Sequence, residues 1–255
     1  FSTPRSMIKV SSDIVQNAYD TKGRPVSEIL DLAETQIFSL AEQHNNNKKD
    51  SGPKSISSVT ADVITKLDEL SKLDGNITGL TTGFLELDNK TSGMQAGDLS
   101  IVAARPSMGK TTFSMNIAEY AAAHKKLPVA VFSMEMPAEQ LTLRLLSSMG
   151  RVDQHRVRTG QLTDEDWPRI ATAVKIFADV PMFIDDSPAL SPNEVRARSR
   201  RLVREHGQLG LIVLDYLQLM QGNGRSENRT NEVSEISRSL KALAKELSTP
   251  IIVLS

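Results

Sequence analysis

The chain has 255 residues, enough to bury a sizeable core, and the expected plan is one large domain with an appendage. A formal net charge of -1 gives no global basic field, so any site for a polyanion must be local. There is no cysteine, which excludes disulfides and thiolate metal ligands, and no apolar run approaches the ~20 residues that span a bilayer, so a cytoplasmic home without membrane contact is expected.

The opening "FSTPRSMIKV" lacks the charged and then apolar layout of a secretory signal and reads as the interior of a longer chain. Residues 11 to 43 carry two amphipathic helical patterns, broken at "DTKGRP". The second starts near Pro25, with Ile29, Leu30, Leu32, Ile37, Phe38 and Leu40 at helical spacing. "HNNNKKDSGPKS" then has the composition of a linker. After it, Ile56, Val59, Val63, Ile64, Leu67 and Leu70 recur at helical spacing. This segment is a short helix with one apolar stripe, which must dock either on its own domain or on a neighbouring subunit.

From residue 99 apolar strands alternate with helical segments. Strands are expected at 99–104, 128–133, 181–185, 211–215 and 250–255, and helices near 110–123, 137–149, 163–178, 191–206 and 231–247. The strands lack polar alternation, as in a parallel sheet covered on both faces, so the pattern predicts a doubly wound α/β domain. The final "TPIIVLS" stops with no turn or polar tail after it and reads as a strand whose continuation lies beyond this sequence.

The chemistry gathers at the strand ends. A phosphate-binding loop, G-x-x-x-x-G-K-[ST], needs backbone N–H groups facing a phosphate, a lysine for its outer oxygens and a hydroxyl for Mg²⁺. The eight positions from Ala104 to Thr111 supply Gly109, Lys110 and Thr111, with alanine at the first glycine. They follow a buried-strand pattern and open a helix. Ser107, Met108, Gly109, Lys110, Thr111 and Thr112 are therefore the candidate nucleotide contacts, for ATP. "LIVLD" ends a strand on Asp215, the place where such folds hold Mg²⁺, with Thr111 as the second metal-side oxygen. In "FSMEMP", Glu135 stands just past a strand, where it either polarises the attacking water or serves the next helix as cap or first-turn acid. Gln218 either senses the terminal phosphate or faces solvent. "EVRARSRRLVREHG" has five arginines, by default a solvated basic face. Arg225 and Arg229, in "QGNGRSENRTNE", either grip a phosphodiester backbone or stand in an ordinary exposed loop. His44, His124, His155 and His206 show no ligand spacing.

Taken together, "VAARPSMGKTTFSMNIAE", "FSMEMPAEQL", "RTGQLTDEDW", "LIVLDYLQLM" and "NRTNEVSEISRSLKALAKEL" resemble the bacterial replicative DNA helicase family, the DnaB family, whose own loop begins with alanine. The resemblance implies the end of an N-terminal helical domain at 1–43, a linker with a docking helix at 44–75, and a RecA-like P-loop ATPase domain at 76–255 whose C-terminal part is missing. It implies Lys110 and Thr111 as phosphate and Mg²⁺ ligands, Glu135 as the water-activating base and Asp215 as the acid beside the metal. It also implies a homo-hexamer around single-stranded DNA that unwinds duplex DNA at the replication fork, partnered by primase and a helicase loader, with the helix at 56–72 packed on the adjacent protomer. The alternative is a RecA-like protein that holds DNA under ATP control without unwinding it. In the family, the strand at 250–255 runs on into a glutamine segment, a DNA-gripping loop and an arginine finger. Because a finger is worth roughly 10³ to 10⁵ in rate, this chain alone is expected to bind nucleotide better than it hydrolyses it.

Overall fold

The structure is a computed structural model that describes residues 2–20, 32–37, 55–71, 77–220 and 229–255. The chain divides into two compact units, Phe1–Asp74 and Gly75–Ser255. In the first, a helix spans Ser2–Tyr19, so it begins well before the pattern expected from residue 11. The second pattern is helical at 32–37, while Pro25 and the Asn-rich linker lie outside the described residues. The helix Ile56–Ser71 forms where its periodicity predicts. Ile56, Val63, Ile64 and Leu67 of its apolar stripe are exposed and Val59 is half-buried.

The second unit is a five-stranded parallel sheet: β1 (Leu99–Val102), β2 (Val129–Ser133), β3 (Met182–Asp185), β4 (Leu211–Asp215) and β5 (Ile251–Leu254). The order across the sheet is β1-β5-β4-β2-β3. Each strand falls within a residue or two of its expected place because the apolar run and its flanking breakers mark both ends. The period of two is visible in β4. Ile212 and Leu214 pack with Val195, Ile236, Leu240 and Leu243 of the helices Pro192–His206 and Arg229–Leu247. Leu211 and Val213 turn to the other face, against Met115, Ile117, Leu141 and Leu145 of the helices Lys110–Glu119 and Ala138–Gly150. Each such side chain contributes about 1.5–3 kcal/mol by leaving water, which is why an unbroken apolar run survives only in a strand covered twice. β2, β4 and β5 meet that expectation; the two outer strands do not, since β3 is half-buried throughout and Ile101 of β1 is 53% exposed.

Local signals set the helix boundaries. Ser191 accepts from the Glu194 N–H while the Glu194 carboxylate accepts from the Ser191 N–H at 2.7 Å, and Pro192 occupies the first turn. Two short helices, Leu85–Thr91 and Gln154–Thr159, lie outside the expected set, because each is too short to show a period. The Gln154–Thr159 helix is nevertheless marked at both ends: Asp153 accepts from the Arg156 N–H at 3.1 Å, and Gly160 follows in the left-handed region at φ 71°. The helix at 110–119 continues as a π-turn over Tyr120–His124. A parallel sheet brings every strand's carboxyl end to one edge, and at that edge the candidate residues gather.

Candidate functional site

β1 leads through an exposed loop into the helix Lys110–Glu119, with Gly109 at φ 87° as its N-cap. A Cβ at Gly109 would meet nothing within 4 Å, so the demand there is conformational: the left-handed backbone that an L side chain resists. Ser107 is also left-handed, at φ 65°. Ala104 has no positive φ, which explains why alanine serves at the position the generic motif gives to glycine. Met108 and Thr112 are exposed around the same turn.

Lys110 reaches back across the loop. Its Nζ donates to the Ala104 carbonyl at 2.9 Å and to the Ser255 carbonyl past β5 at 2.8 Å. An ammonium has three donors, so one remains for an incoming oxygen. On the next residue the Thr111 hydroxyl donates to Asp215 Oδ2 at 2.8 Å, joining the helix start to the end of β4 across 104 residues of sequence. Asp215 is only 3% exposed. Burial pushes its carboxyl above the ordinary range, the Thr111 hydroxyl pulls it back, and the negative charge of Glu135 raises it again against Lys110 and Arg144. A buried carboxylate stabilised by one hydroxyl favours a cation beside it.

Glu135 stands two residues past the end of β2, where Ser133 is level with Asp215. Its turn is braced: the Met134 N–H donates to the Asp215 carbonyl at 2.7 Å, and the Ser133 hydroxyl donates to the Met136 carbonyl at 2.7 Å while accepting from the Met136 N–H. The alternative role, capping the next helix, is filled by other residues. The Ala138 N–H donates to Asp186 at 2.9 Å, and the first-turn acid is Glu139. Glu135 itself is exposed at the site's edge.

Gln218, in the 3-10 turn Leu217–Leu219, donates from its amide to the Ser255 hydroxyl at 2.6 Å, so it is tied to the residue whose carbonyl holds Lys110. Arg229 donates to the Gln218 carbonyl and to Glu232, while its side chain stays half exposed. Arg225 lies outside the described residues. Hence Lys110, Thr111, Asp215, Glu135 and Gln218 share one edge of the sheet. Sequence reasoning misses Asp186, Ser133, Ser255 and Arg144 there, because no motif marks a residue that serves its neighbours through single contacts.

The arginine-rich helix is not a bare basic face. Arg196 and Arg200 both pair with Glu246, and Arg201 pairs with Glu205 at 2.8 Å. Arg198 donates to Asp185 and, at 2.7 Å, to the Ser187 hydroxyl. For Asp185 burial favours the neutral acid, but hydrogen bonds from Arg198 and Ser187 outweigh it and hold the carboxyl below its ordinary value of 3.8. A depressed folded pKa stabilises the fold above the ordinary value and loses that contribution as pH falls through the folded one. Arg198→Met is therefore expected to cost about 1 kcal/mol near neutral pH after allowance for solvent screening, and to make the acid loss of stability shallower. Urea melts at about pH 7 and about pH 3 measure both effects.

The described residues contain no group of three His, Cys, Asp or Glu able to cage a metal. Thr111 and Asp215 instead offer a hydroxyl and a carboxylate, the hard oxygens that suit Mg²⁺ when phosphates and water complete its shell.

Residues 79–255 match the family described as DnaB-like helicase C terminal domain. The chain is 52% identical to the Replicative DNA helicase DnaB of Pasteurella multocida over 98% of this chain and 54% of that protein. It is 46% identical to the protein of the same name from Geobacillus stearothermophilus, over 100% of this chain and 55% of that one. The chain thus spans about half the length of the curated relatives it matches. Among solved structures it is similar to one described as an ATPase domain, with TM-score 0.74 and 31% identity over 80% of this chain and 72% of that one. It is also similar to a DnaB-like replicative helicase described with its interactions with primase, with TM-score 0.78 and 26% identity over 99% of this chain and 56% of that one. The sheet order, the loop that lacks a first glycine and the Thr111–Asp215 contact thus sit in a RecA-like α/β fold, and by residues 79–255 the chain belongs to the DnaB-like helicase C terminal domain family.

Proposed function

We propose that the chain is the nucleotide-hydrolysing part of a replicative DNA helicase, which couples ATP hydrolysis to 5′ to 3′ movement along single-stranded DNA and to separation of duplex DNA at the replication fork. The observation that carries this reading is the junction at the sheet's carboxyl edge, where Lys110, Thr111 and Asp215 meet beside Glu135.

In this reading the loop from Ser107 to Thr112 turns its backbone N–H groups toward the phosphates, and Lys110 uses its remaining donor on their outer oxygens. Thr111 and Asp215 would hold Mg²⁺, which would supply positive charge against the phosphate oxygens. Glu135 takes a proton from the attacking water, and Gln218 stays linked to the loop through Ser255.

The same reading makes the active assembly a homo-hexamer on single-stranded DNA, with the exposed apolar stripe of Ile56, Val63, Ile64 and Leu67 docked on the adjacent protomer. Deleting residues 54 to 72 is expected to convert hexamers into monomers or loose aggregates, read by sedimentation. Hexamers that persist would assign assembly to other surfaces. Arg225 and Arg229 remain the candidates for the DNA backbone, Arg229 with donors left beyond those it gives to Gln218 and Glu232. Primase and a loader are proposed as partners, and primase appears in the description of one solved relative. The place of action is the cytoplasm at the nucleoid; no helix among the described residues is long and apolar enough to cross a membrane.

The test is strand displacement from a forked duplex by the intact protein, with ATP or a non-hydrolysable analogue. Displacement with ATP alone supports the motor. Retention of DNA without displacement would show an ATP-gated clamp instead.

A further inference from the structure

The turn that carries Glu135 is pinned at both ends by groups that take no part in the proposed chemistry. On the strand side, the Met134 N–H donates to the Asp215 carbonyl and Ser133 braces Met136. On the helix side, the N-cap of Ala138–Gly150 is Pro137, which has no side-chain acceptor to offer. That place is taken from 48 residues away: Asp186, the first residue past β3, accepts the Ala138 N–H at 2.9 Å.

Asp186 is itself presented by a turn that is held in shape. The Ser187 N–H donates to Asp185 Oδ1 at 3.1 Å, and Arg198 bridges the Asp185 carboxylate and the Ser187 hydroxyl. Arg198 stands on the helix Pro192–His206, whose start is fixed by its capping box. The Ala138 contact is thus the end of a chain of polar links rooted in a rigid helix. β3 pairs with β2 in register, with Asp185 level with Phe132, so the two turns emerge side by side.

We propose that Asp186 is a positioning residue for nucleotide hydrolysis: its carboxylate pins the Ala138 N–H and so fixes where the turn holds Glu135 relative to Asp215 and Lys110. The inference rests on the reading of Glu135 as the base. A cap that served only the helix would change stability alone. A cap that places the base changes turnover, and only while the base is present.

The test compares Asp186→Ala, Asp186→Asn, Glu135→Gln and the Asp186→Ala, Glu135→Gln double variant in the intact protein. Single-turnover ATP hydrolysis and nucleotide Kd are measured for each, with a thermal melt beside them. Asp186→Ala is expected to lower the hydrolysis rate about tenfold, because small misplacement of a catalytic group is costly in rate. Its nucleotide Kd should stay within about twofold, the sign of a defect confined to the chemical step. Asp186→Asn should restore the rate, since the amide oxygen caps the same N–H as well as a carboxylate does. In the Glu135→Gln background, Asp186→Ala should remove nothing further from the residual rate.

A wild-type rate in Asp186→Ala, an equal loss in both backgrounds, or a matching loss in Kd would each overturn the proposal. If Glu135→Gln itself turns over normally, the base reading falls and takes this inference with it. If Glu135→Gln is inactive while Asp186→Ala is normal, only the pinning by Asp186 falls.

Discussion

Replacing Lys110 with alanine is expected to abolish ATP-driven unwinding and to weaken nucleotide binding by about a hundredfold, the worth of roughly 3 kcal/mol of charge-assisted contact to phosphate oxygens. The size follows from where the ammonium sits. It spans the loop mouth between the Ala104 and Ser255 carbonyls, so it is already oriented and little entropy is left to lose when an oxygen arrives. Folding should survive, because the Ala104 loop is exposed and water can replace the ammonium at its carbonyl. A binding titration with a fluorescent nucleotide, a strand-displacement assay and a thermal melt together decide the case. Unwinding that persists in a folded Lys110→Ala protein would remove this loop from the account of energy use.

The parts of the fold legible in the sequence are those with a repeating physical signature. β4 is four buried apolar residues before its terminal, also buried, aspartate, and so short a β-branched and leucine run bounded by breakers suits a strand covered on both faces. The strand-to-helix junction at Gly109 is legible too, since a glycine, a lysine and a hydroxyl stand together directly behind a strand pattern, and the glycine proves to be left-handed. Contacts made once, between distant segments, are not legible. Asp186 following β3 looks like any acidic residue at a strand end until β3 is seen beside β2. The arginines of Pro192–His206 show the same limit in reverse: their spacing suggests a solvated face, but Glu246 on another helix and Asp185 on a strand end lie within reach. Exposure of Ile101 is hidden too, because an apolar run carries no mark of whether its strand is central or outermost.

Glu135→Gln is expected to leave nucleotide bound and to slow its hydrolysis by about 10²- to 10⁴-fold, the usual worth of a positioned base. The substitution keeps shape but removes both the ability to accept a proton and the negative charge. Three features of the site argue that little else will change. Glu135 is exposed, so no buried partner is orphaned. The helix that follows takes its cap from Asp186 and its first-turn charge from Glu139, so helix stability is not at stake. The charge of Glu135 also raises the Asp215 pKa, so its removal eases ionisation of the buried carboxylate while taking one negative charge from beside the cation, two effects of opposite sign. Binding of nucleotide with Mg²⁺ should therefore hold while turnover slows, a separation that Lys110→Ala cannot produce. Equilibrium binding and single-turnover hydrolysis on the same preparation measure it directly. Turnover at the wild-type rate would leave Glu135 as an edge charge that tunes Asp215, and the base would have to be sought elsewhere on this edge of the sheet.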